Sequence, residues 1–205
     1  MIDLLQTILA LVAPAAVATS SGAIKESTST LDNLQAAFGG ETNANARYLA
    51  FAKKADEESY GEVASLFRAA AKAEEIHARN HAAVINELDA VPLVKLRPIE
   101  VKTTRKNLMA AIEGEKYERD VMYPEFLEEA RRDDAKAAIR IFTYALKVEA
   151  VHAVLYQDAL DHLERRKGKH HIYYVCPDCG NTLADLTINQ CVVCGHTRNG
   201  FIAVS

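Results

Sequence analysis

Ala73-Glu74-Glu75-Ile76-His77 and Glu149-Ala150-Val151-His152 carry one pattern twice, a glutamate followed three residues later by a histidine. A lone glutamate precedes each copy at matching distance: Glu41 stands 33 residues before Glu74, and Glu115 stands 34 before Glu149. Both lone glutamates follow a glycine, Gly40 and Gly114, which marks an internal repeat. On a helix, positions three apart share a face, so Glu74 with His77 and Glu149 with His152 can each serve one metal pair. Carboxylates bridge two cations and a neutral imidazole completes the coordination. Burying this many carboxylates without a cation would be prohibitive. A single Glu-x-x-His arises readily by chance on a solvated helix face. Two copies, each preceded by a glutamate one helix earlier, form the ligand set that a ferritin-like four-helix bundle gathers around two metal ions.

The remaining sequence supplies that bundle. A first helical stretch runs from about Leu31 to Glu58, with Leu34, Phe38, Tyr48, Leu49 and Ala52 as core positions. Ser29, Thr30 and Asp32 cluster where an N-cap is needed. Gly61 breaks the run, and a second stretch extends to about Leu88. Pro92 and Pro98 make the connection from Asp89 to Thr103 extended, and its length suits a crossover between two helix pairs. A third stretch starts near Arg105 and contains Met122-Tyr123-Pro124, where the missing amide predicts a kink. Asp133 and Asp134 mark the turn into a fourth stretch ending near Arg166, and Gly168 to His171 reads as a solvated linker.

At 205 residues and 49% apolar, the chain has room for one domain with a sizeable core plus a small module. Its net charge of −4, from 24 basic and 28 acidic residues, gives no sign of nucleic-acid binding. No glycine-rich phosphate loop is present, so it shows no nucleotide site of its own.

The small module holds all four cysteines, in two Cys-x-x-Cys knuckles: Cys176 with Cys179, and Cys191 with Cys194. Two such knuckles in one short segment point to a tetrahedral four-thiolate site, against two disulfides or unligated thiols as the alternatives. Gly180 and Gly195 follow the second cysteine of each knuckle and let the backbone turn tightly. Tyr173, Tyr174, Val175 and Phe201 provide a small apolar shell. Sulfur ligation suits iron or zinc, and ligand type alone does not choose between them.

Taken together, Gly40-Glu41-Thr42-Asn43-Ala44-Asn45-Ala46-Arg47-Tyr48, Ala73 to His77, Gly114 to Glu118, Met122 to Phe126, Glu149 to Ala153 and the two knuckles resemble the rubrerythrin family, and within it the nigerythrin pattern. The resemblance runs from about Leu31 to Phe201. It implies an all-α ferritin-like four-helix bundle with two non-haem irons, followed by a small rubredoxin-like four-cysteine metal domain. The boundaries expected are an apolar N-terminal arm over 1–28, the bundle over 29–167 and the rubredoxin-like domain over 168–205. The implied di-iron ligands are Glu41, Glu74, His77, Glu115, Glu118, Glu149 and His152; Cys176, Cys179, Cys191 and Cys194 would hold the third iron, with zinc possible there. Glu118 is the family's extra glutamate, which exchanges with His77 as a ligand when one iron changes redox state. Tyr48 and Tyr123 match tyrosines that contact the ligands, with ordinary core packing as the alternative. His81 matches no ligand and reads as a surface or interhelix histidine.

The activity implied is reduction of hydrogen peroxide to water in oxidative stress defence. Electrons would pass from a reduced pyridine nucleotide, through a separate reductase or a rubredoxin, to the four-cysteine iron. The short linker implies a head-to-tail homodimer in which each tail serves its partner's bundle. The alternatives are a ferritin-like ferroxidase or iron-handling protein with a structural zinc ribbon, and a metal-binding protein without turnover. One local departure concerns the tail: Val192 follows Cys191 where relatives usually show proline.

Leu4 to Ala18 is mostly apolar and ends in Ala16-Val17-Ala18, like a signal segment with its cleavage site. No Lys or Arg precedes it, Asp3 is acidic, Pro14 interrupts it, and it is short for a membrane span. A retained arm that packs on the bundle or a partner is the expectation. A reduced four-thiolate site fits the cytoplasm, with export as the minority alternative and a membrane location unlikely. Immunoblotting of fractionated cells is expected to find the full-length chain in the cytoplasm; a shortened chain in the periplasm would overturn this.

Overall fold

The computed structural model describes residues 28–205, so the arm over 1–27 and the expectations placed on it lie outside the described residues. Helix α1 spans Thr30–Glu57, and Ser29 caps it: its side chain accepts from the amide of Asp32, whose carboxylate accepts from the amide of Ser29. Ser59, at φ 64°, turns the chain into α2, Gly61–Glu87. The third helical stretch comprises α3 (Thr104–Tyr117), a π-helical turn (Glu118–Met122) and α4 (Tyr123–Arg132). The expected irregularity near Tyr123 is thus a widened turn just before Pro124. Helix α5 spans Lys136–Asp161 and is followed by a 3-10 turn at Leu163–Arg166.

The crossover 89–103 is extended, and α1 holds it down. Gln35 donates to the carbonyl of Val91 and accepts from the amide of Leu93, while Asn43 donates to Lys95 O and accepts from the amide of Arg97. These side chains satisfy backbone groups that an extended segment cannot pair with itself.

Two apolar clusters fill the bundle. One centres on Phe51, Phe67, Leu108 and Tyr156, the other on Leu34, Ile85, Tyr123 and Phe142. Alanines at 69, 70, 71 and 73 give α2 a thin, fully buried face. Leu34, Tyr48 and Ala52 are core residues as expected, whereas Leu49 is 49% exposed because it falls one step past the inward face of α1.

The tail forms a three-stranded antiparallel sheet in the order β2-β1-β3, from Thr182–Leu183, Tyr173–Val175 and Ile202–Val204. Within the single chain, the tail lies against its own bundle. Arg79 donates to Pro177 O at 2.6 Å, Asn80 to Asp178 O at 2.7 Å and Arg68 to Ser205 O at 2.6 Å. The linker is anchored rather than freely solvated. Gly168 N donates to Ser59 O, His170 Nδ1 lies 3.0 Å from Arg68, and His171 packs edge-on against Tyr173. Gly61 permits the approach, because a Cβ there would lie 2.6 Å from Gly168 O.

That contact is with backbone and cannot relax cheaply. Gly61→Ala is therefore expected to destabilise the protein by roughly 1–3 kcal/mol, despite alanine's better helix propensity. Urea unfolding checks this; a gain in stability would mean that the linker yields freely.

Candidate metal centres

Glu41 from α1, Glu74 and His77 from α2, Glu115 from α3, and Glu149 and His152 from α5 converge between the two apolar clusters, all buried. They form two overlapping groups. Glu41, Glu74, His77 and Glu149 make one, and Glu74, Glu115, Glu149 and His152 the other, with ligand atoms within 4.8 Å of one another in each. Glu74 and Glu149 belong to both, the position of bridging carboxylates. His77 Nδ1 lies 2.9 Å from Glu74 Oε2 and 3.0 Å from Glu149 Oε1; His152 Nδ1 lies 3.0 Å from Glu149 Oε2 and 3.3 Å from Glu74 Oε1.

The far nitrogens fix the tautomers. His77 Nε2 is 3.0 Å from the carbonyl of Cys179, which only accepts, so Nε2 carries a proton. His152 Nε2 is 3.1 Å from Thr182 Oγ1, whose own proton goes to Gly180 O, so this nitrogen donates too. With metal bound, each ring can therefore offer a bare Nδ1 lone pair, and a cation between the carboxylates makes that arrangement favourable. In the metal-free protein burial disfavours the charged rings, but the surrounding carboxylates outweigh it and hold a proton on Nδ1 as well. Glu41 Oε2 and Glu115 Oε2 are buried with no hydrogen-bond partner, as metal ligands would be. The residues fit two metal ions.

Tyrosines hold the two lone glutamates. Tyr48 Oη donates to Glu115 Oε1 at 2.6 Å, and Tyr123 Oη donates to Glu41 Oε1. Burial raises the phenol pKa of both well above the usual range and keeps them neutral donors. His81 is fully buried, which excludes the surface reading; its Nε2 lies 3.1 Å from Tyr123 Oη, joining α2 to α4. Its place one turn after His77 was the available sign of an inward position. Thr182 and Tyr156 were not anticipated. Tyr156 packs edge-on against Tyr48 at 5.5 Å, and neither residue belongs to a spacing motif.

Glu118 stands apart. It opens the π-helical turn, belongs to neither four-residue group and lines a cleft on the outer side of the cluster. Burial raises its carboxyl pKa well above the usual range, and the neighbouring Glu41 adds to the shift. Burial likewise raises Glu41, and pushes Glu115 up to about 8. Glu149 goes the other way: burial pushes it up, but the His77 and His152 rings outweigh that and lower it.

In the tail, Cys176 Sγ lies 3.5 Å from Cys194 Sγ, and Cys179 Sγ 3.5 Å from Cys191 Sγ, with all four thiols free. A disulfide needs about 2.05 Å. Four sulfurs about 2.3 Å from one ion would stand about 3.8 Å apart, close to what is seen. The Gly180 and Gly195 positions, at φ 79° and 81°, close the two knuckles through amide bonds to the carbonyls of Cys176 and Cys191. Gly180 also meets the bundle: a Cβ there would lie 2.7 Å from His77 Nε2.

Fold and sites together define a ferritin-like di-iron carboxylate protein with a rubredoxin-like four-cysteine tail. The rubrerythrin family model matches residues 32–160. Rubrerythrin-2 of Clostridium acetobutylicum is 41% identical over 179 residues, covering 85% of this chain and 96% of the relative. Nigerythrin of Nitratidesulfovibrio vulgaris is 34% identical, covering 85% and 86%. The solved mixed-valence structure of nigerythrin superposes with a TM-score of 0.80 at 33% identity, over 94% of this chain and all of that one. The chain belongs to the rubrerythrin family, di-iron proteins of oxidative stress defence. No helix among the described residues is long and apolar enough to cross a membrane.

The raised groups set the behaviour of the metal-free protein. A glutamate whose pKa rises from 4.5 to about 8 on folding, as Glu115 does, binds more protons folded than unfolded between those values. Stability therefore falls as pH rises through that window. The raised His77 and His152 lose stability in the same direction above pH 6.5. The melting temperature of chelated protein is expected to drop between pH 5 and 8, and metal to restore it with release of protons. A chelated protein that gains stability over that range would contradict the carboxylate cluster.

Proposed function

We propose that this protein is a peroxidase that reduces hydrogen peroxide to water, with electrons relayed from a four-thiolate iron in the tail to the bundle. The observation that carries the reading is a single imidazole. His77 turns Nδ1 to the carboxylate cluster and donates from Nε2 to the carbonyl of Cys179, so one hydrogen bond links a residue of each site. The proposed di-iron ligands are Glu41, Glu74, His77, Glu115, Glu118, Glu149 and His152; Cys176, Cys179, Cys191 and Cys194 are the proposed ligands of the tail iron.

When bound, the iron pair supplies two electrons and Lewis acidity for cleaving the O–O bond. The chain's own groups prepare the site for that step. Glu74 and Glu149, which belong to both ligand groups, would each serve both ions. Tyr48 and Tyr123 hold protons against Glu115 and Glu41 and fix those carboxylates in place. Tyr156, Phe67 and Phe142 exclude water from the two flanks. His77 faces the cluster while Glu118 stands off, an arrangement that fits an exchange between the two as ligands. The electron donor to the tail is a separate reductase or rubredoxin, the location is cytoplasmic, and the assembly is a homodimer, with light scattering at micromolar concentration as its check.

The test is to purify the protein without oxygen, measure its metals, reduce it and add stoichiometric peroxide. About three irons per chain are expected, two for the bundle and one for the tail, with prompt return of the red ferric-thiolate colour. In His77→Gln the colour should return more slowly, on the order of tenfold, because the joining contact is lost. A colourless protein with zinc in the tail would remove the relay and favour iron oxidation or storage.

A further inference from the structure

Hydrogen peroxide alone does not account for the cleft beside Glu118. The cleft lies between α1 and α3 under the crossover and has a volume of about 830 Å³. A water molecule takes up about 30 Å³, and hydrogen peroxide is of the same order, so the cleft exceeds that oxidant's needs more than tenfold. Its size is that of a site for a whole organic molecule.

The sequence keeps this space open. Gly40 and Gly114, the glycines that precede Glu41 and Glu115 in the repeat, both line it. A Cβ on Gly40 would meet nothing within 4 Å, and one on Gly114 would lie 3.5 Å from the Arg47 guanidinium. Asn43 straps the crossover over the opening through its bonds to Lys95 and Arg97. The walls are divided in character. Phe51, Met109 and Phe126 offer apolar surface. Arg97 and Lys106 are exposed on the rim, and neither makes an ion pair among the described residues, whereas Lys102 is already paired with Glu100 at 3.0 Å. Arg47 and Glu118 also line the cleft. Glu118 lies one helical turn from Glu115, and Arg47 Nε is a buried donor without a partner.

The geometry points to a second substrate class, amphiphilic organic hydroperoxides that carry a carboxylate. The carboxylate meets Arg97 and Lys106, the hydrocarbon lies along Phe51, Met109 and Phe126, and the hydroperoxide end reaches Arg47 and Glu118 beside the metal cluster. This rests on the peroxidase reading above for its chemistry. The O–O bond of ROOH breaks; two electrons from the reduced iron pair and two protons from solvent convert it to ROH and water. The electron donor is the one proposed for hydrogen peroxide.

Binding can be tested without turnover. The probe is a hydroxy-octadecadienoate, the alcohol that matches a fatty-acid hydroperoxide, titrated calorimetrically into the iron-loaded full-length chain. Saturable binding is expected, weakened at least tenfold in the double variant R97E/K106E and for the methyl ester of the probe. Circular dichroism checks that the variant is folded, which is expected of two exposed side chains. In the iron-loaded protein, the fatty-acid hydroperoxide should be reduced with a kcat/KM at least tenfold above that of tert-butyl hydroperoxide, which lacks the carboxylate. Absence of binding, or binding indifferent to both the variant and the ester, would overturn the proposal whatever the activity toward hydrogen peroxide. Failure to reduce hydrogen peroxide itself would count against the peroxidase reading, while the calorimetry would still report on the cleft.

Discussion

Four glutamates and two histidines meet in the middle of the bundle with Glu118 beside them, and two imidazoles are too few to balance that many carboxylates. Coulomb repulsion among buried carboxylates is severe in a medium that screens poorly. Without metal, some of them must hold protons: Glu41, Glu115 and Glu118 are pushed upward while only Glu149 is held down by the histidines. The bundle is therefore built around charge that the chain cannot neutralise by itself. The two apolar clusters lie to either side of that charge, and each supplies a tyrosine that ties one lone glutamate. The halves of the repeat are related in chemistry as well as in spacing.

The tail is part of that construction. It donates no ligand to the carboxylate cluster, yet it fixes both histidines from behind, through Cys179 O and Thr182 Oγ1. These contacts set the proton on Nε2 and leave Nδ1 of each ring for the metal. Gly180 serves two needs at once. Its φ of 79° closes the first knuckle, and its missing side chain lets the knuckle reach His77. A rubredoxin-like module placed elsewhere could still bind metal, but it would leave both rings to solvent and without a fixed tautomer.

What could be read from the sequence followed local rules. Glu-x-x-His, Cys-x-x-Cys, the Ser29 cap and the proline-containing crossover all express short-range geometry. The misreadings share one cause, dependence on partners distant in sequence. For His81 the interhelix reading holds and the surface one fails, because its partner Tyr123 lies 42 residues on, inside the bundle. Thr182 belongs to no motif. The tail's position depends on Arg68, Arg79 and Asn80, which look like ordinary solvated helix residues. Leu49 failed differently: its hydrophobicity suited a core position, but helical phase turned it outward.

The π-helical turn shows how a local defect becomes a chemical feature. Pro124 has no amide to give, so a regular helix would lose its bond to the carbonyl four residues back in any case. Tyr123 instead donates five residues back, to Glu118 O, and the helix widens there. Because one bond near this point is already forfeited, the widening adds little cost. It begins at Glu118 and ends just before Tyr123. It therefore separates a glutamate that remains outside the two ligand groups from a tyrosine locked onto Glu41. Glu115 and Glu118 are joined by regular helix and keep to one face, with Glu118 at the edge that opens to the cleft.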